Sequence, residues 1–199
     1  DYYAMVKDVY DVSQSLTPEQ TAIALYYRDV PGYPGGGHYI SILAQVLEKA
    51  NASLDVAALA YAKSGIAILD ALIACWKTKY TVNLERPVQS VRGILGYATW
   101  LPLFNAPAHP EFPSAHSNQA GAFEIILSNE FGNKFAFTNH TYDYLGMAPR
   151  HYHSFSHMTE EIGISRLYGG IHYRASCEKG RKQGKKIAAN ILWKLKFKK

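Results

Sequence analysis

The most regular pattern along the chain is a spacing of apolar residues by three or four positions, the spacing of one face of an α-helix. It is clearest in a long alanine-rich segment that opens at Asn51 and runs to about Thr78. The apolar positions of that segment are Ala58, Ala62, Ile66, Leu69 and Ile73. No segment alternates apolar and polar residues regularly enough to predict a strand. The pattern therefore predicts an all-α fold, built as a helical bundle.

Helix starts and loop residues divide this bundle into elements. Thr17, followed by Pro18 and then Gln20, is typical of a capped helix start, and Ser114 stands where a cap begins another helix. The predicted helices cover residues 17–28, 38–49, 51–78, a short segment from 86, and then 116–130, 156–174 and 177–197. Glycine and proline predict loops over 29–37 and 101–112, and 131–150 is predicted to be irregular.

Composition adds limits rather than a function. A chain of 199 residues with 48% hydrophobic and 19% charged residues is predicted to form one domain, 1–199. The net charge of +5 is concentrated between Lys179 and Lys199, which we interpret as a solvated helix face. Without a recognised nucleic-acid motif, no nucleic-acid partner is predicted. We find no apolar run of the roughly 18 residues that a membrane helix needs, so no membrane span is predicted. The start at Asp1 indicates the inside of a longer chain or a processed product.

Three short segments carry the candidate chemistry. They are Lys79-Tyr-Thr-Val-Asn-Leu-Glu-Arg-Pro87, Pro113-Ser-Ala-His116 and Ser165-Arg-Leu-Tyr-Gly-Gly-Ile-His172. Together they supply three cations, a hydroxyl, a tight turn and two imidazoles. A tetrahedral oxyanion such as phosphate or vanadate needs this set, because its oxygens require both charge and hydrogen-bond donors.

These segments resemble the signature of the superfamily that contains the vanadium-dependent haloperoxidases and the type 2 phosphatidic acid phosphatases. The first and third segments match without a break and in the right order. The second has Ala115 where the signature has glycine. The resemblance extends over roughly residues 16–194 and implies the helical bundle of the haloperoxidase and acid phosphatase type. Single short motifs match by chance, but three in order with their spacing kept are specific.

The resemblance implies a role for four of these residues around the oxyanion. His172 would be the vanadate ligand, or the phosphohistidine nucleophile in a phosphatase. Lys79, Arg86 and Arg166 would neutralise the oxygens, the two arginines as bidentate donors. Taken alone, Lys79 could instead be a solvated helix-end lysine, and Arg86 could be an ion-pair partner of Glu85.

The resemblance also implies donors and an acid or base on the other side of the oxyanion. Ser114 would donate its hydroxyl and Ala115 its amide, close to a helix N-terminus. His116 would be the acid or base opposite the ligand histidine. It needs an orienting carboxylate, for which position in the resemblance favours Asp29, with Asp70 as the second choice.

Three further positions bear on which reaction the site runs. Trp76 stands where several haloperoxidases have an aromatic residue that borders the halide site. His109 stands where algal bromoperoxidases have histidine and the fungal chloroperoxidase has phenylalanine. Soluble acid phosphatases usually have aspartate four residues after the ligand histidine, and here that position is Ser176. The resemblance therefore ranks peroxidase above phosphatase.

The predicted function is that of a vanadium-dependent haloperoxidase, with vanadate as the cofactor. Its substrates would be hydrogen peroxide, bromide or iodide, and a small organic acceptor. The first alternative is a soluble acid phosphatase on the same scaffold, and the second is a non-catalytic helical binding module. A secreted or periplasmic location is expected, and formation of a homo-oligomer is left open.

Overall fold

The structure, a computed structural model, describes residues 1–30, 32 and 37–195, which contain eight α-helices and one short ribbon. The helices are α1 (Tyr2–Gln14), α2 (Pro18–Tyr26), α3 (Gly37–Lys49), α4 (Leu54–Val82), α5 (Pro87–Ile94), α6 (Ala115–Phe131), α7 (Phe155–Tyr168) and α8 (Arg174–Lys194). The ribbon pairs β1 (Phe137–Asn139) antiparallel with β2 (Arg150–Tyr152), and a 3₁₀ turn at Asp143–Leu145 lies between them. The all-α prediction is confirmed.

Helix α6 is the centre of the bundle, because it buries side chains in two separate clusters. Ala120, Phe123 and Leu127 pack in a cluster with α2, α3, α7 and the ribbon. Ala122 and Ile126 pack on the other side, in a cluster with α4 and α8. A helix that is apolar around most of its circumference is typical of a core helix. The N-terminus of α6, where Ser114 lies, is therefore held between several helices.

Helices α6 and α8 approach each other closely because α8 has glycines at the contact. A Cβ atom added at Gly184 would lie 1.8 Å from the Asn118 carbonyl oxygen, and one at Gly180 would lie 2.6 Å from the Ser114 carbonyl oxygen. The Ser114 amide also donates to the Ser176 carbonyl oxygen, at 3.2 Å. These contacts fix the first turn of α8 against the first turn of α6, and so hold together two of the three sequence segments.

The close approach gives a stability prediction. Gly184→Ala is expected to lower the free energy of unfolding by about 3 kcal/mol, because backbone must move to admit the methyl group. Gly65→Ala, in the exposed middle of α4 with no atom within 4 Å of the added Cβ, is the matched control. It should stabilise by about 0.5–1 kcal/mol through helix propensity. Urea unfolding of the two variants measures both effects, and a neutral Gly184→Ala would contradict the contact.

Several predicted boundaries are confirmed, and others are wrong. Thr17 caps α2 in a full capping box with Gln20, and the Ser114 hydroxyl oxygen accepts from the Ser117 amide at the start of α6. The prediction of no strand is wrong, because the segment taken as irregular forms the β1–β2 ribbon. No element was predicted for the segment that forms α1. The predicted loop 29–37 and the predicted helix end at Phe197 lie partly outside the described residues.

The predicted continuous helix 156–174 is also wrong, and this changes the surroundings of His172. Helix α7 ends at Tyr168, and α8 begins only at Arg174. Gly170 has a φ of 72°, a left-handed conformation that breaks the helix at low cost in glycine. Its neighbour Gly169 packs so closely on Phe104 that an added Cβ would lie 2.4 Å from the ring. His172 therefore lies in a turn between two helices and not on a helix face.

Helix α4 faces solvent with the apolar stripe from which it was predicted. Leu69 and Ile73 are 57% and 59% exposed, while smaller residues such as Ala67 and Ala71 are buried. By length and composition, the stretch Leu54–Ile94 contains a helix able to cross a membrane, because an 18-residue window within it has a mean hydropathy of 1.7. Of that window, 33% is buried inside the protein. This corrects the prediction that no segment is long and apolar enough. It is weak support for a span, since core helices meet the same criterion.

Candidate active site

The three segments converge where several helix ends meet. Lys79 is in the last turn of α4, Arg86 caps α5, and Arg166 is in the last turn of α7. Side-chain exposure is negligible for all three, at 0%, 4% and 2%. Burial lowers the pKa of His172 well below its ordinary value, and the charges of Arg86, Lys79 and Arg166 lower it further. The structure thus brings the cations close to His172 and keeps its imidazole neutral.

The two nitrogens of the His172 ring have different partners, which fixes the tautomer. Nε2 lies 3.1 Å from an Nη1 donor of Arg86, and a guanidinium can only donate. Nε2 is therefore the acceptor and carries the lone pair. Nδ1 then carries the proton and donates it to Oε1 of Glu111, at 2.7 Å. The lone pair of Nε2 is consequently on the side of the ring where the cations lie.

Glu111 is a site residue that the sequence analysis missed. It is fully buried, and besides His172 it accepts hydrogen bonds from the Tyr173 amide at 3.0 Å and the Ser176 hydroxyl at 2.6 Å. Burial raises the pKa of its carboxyl to about 7, although these hydrogen bonds and the nearby Arg86 lower it. No motif spacing marks Glu111 in the sequence. The only clue is a carboxylate in a proline-rich loop just before Pro113.

Arg166 has donors that the surrounding protein does not use. Its Nη1 donates to the Tyr27 carbonyl oxygen at 2.5 Å, but its buried Nε has no partner among the described residues. The guanidinium carbon lies 5.2 Å from the centroid of the Phe104 ring. A cleft of about 380 Å³ opens beside it, lined by residues that include Arg28, Asp29, Phe104, Asn105 and Arg166. Arg166 therefore lines this cleft and holds a buried donor, Nε, that no described protein acceptor uses.

The alternative interpretations of Lys79 and Arg86 are wrong, because both side chains point inward. The Lys79 ammonium donates to the carbonyl oxygens of Pro110 and Glu111, at 2.7 and 2.9 Å, and burial lowers its pKa to about 8. Arg86 does not pair with Glu85. Its Nε donates to the His109 carbonyl oxygen and its Nη1 to that of Ile171, both at 2.9 Å. The two cations therefore also hold the backbone around the site.

Ser114 and Ala115 supply donors at the N-terminus of α6. The Ser114 oxygen accepts from both the amide and the hydroxyl of Ser117, at 3.3 and 3.0 Å. Its hydroxyl also hydrogen-bonds the buried Cys177 sulfur, so the proton must turn away from that sulfur to reach an oxyanion. Ala115 is the first residue of α6 and is 8% exposed. Amides in the first turn of a helix have no acceptor within the helix, and the helix dipole favours an anion there.

His116 and Asp29 lie together as the sequence analysis predicted. Asp29 Oδ1 is 3.5 Å from His116 Nε2, longer than a normal hydrogen bond. Burial lowers the pKa of His116, and Arg166 lowers it further, while Asp29 opposes them. The second choice, Asp70, is an exposed residue of α4. Of the two candidate carboxylates, the structure therefore brings Asp29 and not Asp70 to His116.

The rings of Trp76 and His109 pack against each other at a tilt of 40°, with centroids 4.9 Å apart. Arg86 Nη2 lies 3.0 Å from His109 Nδ1 and must be the donor, so the neutral ring carries its proton on Nε2. The longer 3.3 Å contact of Nδ1 with the Pro110 carbonyl oxygen is then not a hydrogen bond. Burial, with the charges of Arg86 and Lys79, lowers the pKa of His109 to about 4.

The donor set fits a tetrahedral oxyanion bound through one histidine nitrogen. It offers the Nε2 lone pair of His172, to which Arg86 now donates, an unused donor on Arg166, the Ser114 hydroxyl and a helix N-terminus at Ala115. Among the described residues no group of three or more His, Cys, Asp or Glu side chains could chelate a metal cation. An oxyanion held by one imidazole and by cationic donors does not need such a group.

Comparison with known proteins finds related sequences and structures. The sequence profile of the VCPO second helical-bundle domain matches residues 95–197. A bacterial vanadium-dependent iodoperoxidase structure is 34% identical, with a TM-score of 0.91 over 98% of this chain and 49% of its own. A holo-type bacterial vanadium-dependent chloroperoxidase is 21% identical, with a TM-score of 0.77 over 94% of this chain and 46% of its own. The chain thus spans about half the length of these structures. No curated protein sequence matches it.

Proposed function

Because the chain belongs to the vanadium haloperoxidase family, we propose that it binds vanadate and uses hydrogen peroxide to oxidise bromide or iodide to a hypohalous acid equivalent. The observation that carries the proposal is the lone pair of His172 Nε2, fixed by its two partners and surrounded by three buried cations. Bound vanadate supplies Lewis-acid activation of peroxide without a change of oxidation state.

The cationic residues perform the binding. His172 offers the single nitrogen ligand, while Arg166 and Arg86 offer planar donor pairs that match two oxygens of an oxyanion. Arg86 already donates to four protein acceptors, so it releases part of that network when an oxyanion binds. Lys79 contributes mainly through the electrostatic attraction of its positive charge for the oxyanion, since its ammonium already donates to two carbonyl oxygens. The unused Nε makes Arg166 the principal donor.

His116 supplies the proton transfer. Its lowered pKa leaves the imidazole neutral at neutral pH, so it can accept a proton from hydrogen peroxide as peroxide binds. Asp29 is near enough to stabilise the imidazolium that results. The cleft of about 380 Å³ beside Arg166 is the route by which peroxide and halide reach these groups, and the positive charge of Arg166 at its wall attracts anions.

The decisive experiment is peroxidase activity with iodide, bromide and chloride, each with and without added vanadate. We expect oxidation of iodide and bromide only with vanadate. Hydrolysis of p-nitrophenyl phosphate without vanadate is measured in parallel, since an acid phosphatase on this scaffold would hydrolyse it through His172. Phosphatase turnover without peroxidase activity would replace the proposal with that alternative, and the absence of both activities and of vanadate binding would favour a non-catalytic module.

Halide preference provides a further prediction. Iodide and bromide are expected to be oxidised and chloride poorly, because the polar His109 borders the pocket. Chloride is the hardest of the three to oxidise, so it demands the most electrophilic oxidant. The Nε2–H of His109 can donate a hydrogen bond to water, so we expect water to remain in the pocket. The similarity to an iodoperoxidase supports iodide in particular.

The test is steady-state rates with the three halides for wild type and His109→Phe. Phenylalanine removes the polar group and also frees an Arg86 donor, so the ratio of chloride to bromide rates should rise by about 10-fold, or ~1.4 kcal/mol. Efficient chloride oxidation by the wild type would contradict the prediction. An unchanged halide profile in the variant would exclude His109 as the cause.

A further inference from the structure

We infer that Glu111 is the positioning residue of the candidate ligand histidine, a role that rests on the proposed function. Its carboxylate holds the His172 ring with Nδ1 protonated, so that the Nε2 lone pair points to the oxyanion site. The inference depends on contacts between residues far apart in the chain, 61 positions in the case of Glu111 and His172.

The carboxylate of Glu111 is built into the turn that carries His172. Oε1 accepts from His172 Nδ1 at 2.7 Å and from the Tyr173 amide at 3.0 Å, and Oε2 accepts from the Ser176 hydroxyl at 2.6 Å. One carboxylate therefore fixes the side chain of the ligand histidine, the backbone beside it and the first turn of α8. All these donors are buried, so water does not compete for the acceptor.

The backbone of Glu111 is fixed just as firmly. Its amide donates to the Leu84 carbonyl oxygen at 2.8 Å, and its own carbonyl oxygen accepts from the Lys79 ammonium at 2.9 Å. The segment between α4 and α5 and the end of α4 therefore determine where the carboxylate lies. Lys79, which adjoins the candidate oxyanion site, therefore also supports Glu111, the residue that orients His172.

Such an arrangement does more than fill space. A histidine that binds a metal centre usually donates its other ring N–H to an acceptor, which fixes the tautomer and increases the basicity of the binding nitrogen. A carboxylate acceptor gives a shorter and stronger hydrogen bond than a neutral one. Loss of such a partner typically costs about 10- to 100-fold in metal affinity. We therefore expect the charge of Glu111, and not only its shape, to matter.

The first test is Glu111→Gln, which keeps the shape and an acceptor oxygen but removes the charge. The vanadate dissociation constant, measured by isothermal titration calorimetry, is expected to rise about 10- to 100-fold while the circular dichroism spectrum stays that of the wild type. Glu124→Gln is the matched control. Glu124 is a nearly buried carboxylate of α6 that binds Thr159, Arg181 and Lys185, so its variant should lose stability but keep vanadate affinity.

The second test needs no vanadate. In ¹H–¹⁵N spectra of the protein alone, the Nδ1–H proton of His172 should be protected and downfield, should move upfield in Glu111→Gln, and should be lost to exchange in Glu111→Ala. Ser176→Asp combined with Glu111→Ala returns a carboxylate to the same space, since the Ser176 hydroxyl lies 2.6 Å from Oε2. This double variant should recover the resonance and at least part of the vanadate affinity.

The outcomes distinguish a failure of the Glu111 inference from a failure of the proposed function. If Glu111→Gln binds vanadate as wild type does and the Nδ1–H resonance is unchanged, Glu111 is not the positioning residue. If the double variant folds and shows neither recovery, the carboxylate is not what orients His172. If wild type itself binds no vanadate, the proposed function fails, while the spectra of the protein alone still decide whether Glu111 orients His172.

Discussion

His172→Ala is expected to abolish stoichiometric vanadate binding and peroxidase activity while the fold is retained. His172 directs a lone pair toward the buried cations, because its Nε2 accepts from Arg86 and its Nδ1 is protonated toward Glu111. No other group among the described residues of the site can replace that bond. The affinity loss should exceed the roughly 100-fold that marks the loss of an outer-shell partner.

Vanadate titration of the purified variant by calorimetry measures this effect directly, and circular dichroism reports the fold. His151→Ala is the matched control. It removes an exposed histidine of β2 whose ring is hydrogen-bonded to the Thr138 hydroxyl, away from the site, so its vanadate affinity should be that of the wild type. A His172→Ala variant that retained full affinity would overturn the assignment of the ligand.

The second large effect is expected at the arginines. Arg166→Lys should weaken vanadate binding by about 10- to 100-fold, which corresponds to ~1.4–2.8 kcal/mol. A planar fork with an unused Nε becomes a single ammonium that cannot bind two oxygens at once. Arg86→Lys should also weaken binding, because a point charge replaces the planar donor pair that Arg86 offers to two oxygens. Both variants are titrated with vanadate.

The control for the arginine variants is Arg150→Lys. Arg150 forms a bidentate pair with Glu161 away from the site, so the same substitution there should lower stability without changing vanadate affinity. Phosphate provides an independent check, since it is a similar tetrahedral oxyanion and should compete with vanadate for the wild type. If phosphate leaves the apparent vanadate affinity unchanged, the shared oxyanion pocket is wrong.

The sequence by itself determined those features that depend on residues close together in the chain. Thr17 with Gln20, and Ser114 with Ser117, form caps over a single helical turn, so local chemistry suffices to predict where α2 and α6 begin. The spacing inside the three segments is also local, and it predicted the oxyanion residues and identified the family to which the chain belongs. The apolar spacing of α4 predicted a helix for the same reason.

Only the tertiary structure decided which partners these residues have. The apolar stripe of α4 could not reveal that Leu69 and Ile73 face solvent, because periodicity identifies a face and not what covers it. The break at Gly170 depends on packing as well as on glycine. Glu111 meets His172 only because α8 packs on α6 through glycines such as Gly184. Such contacts join segments distant in sequence, and the geometry of helix packing, which no local pattern encodes, brings them together.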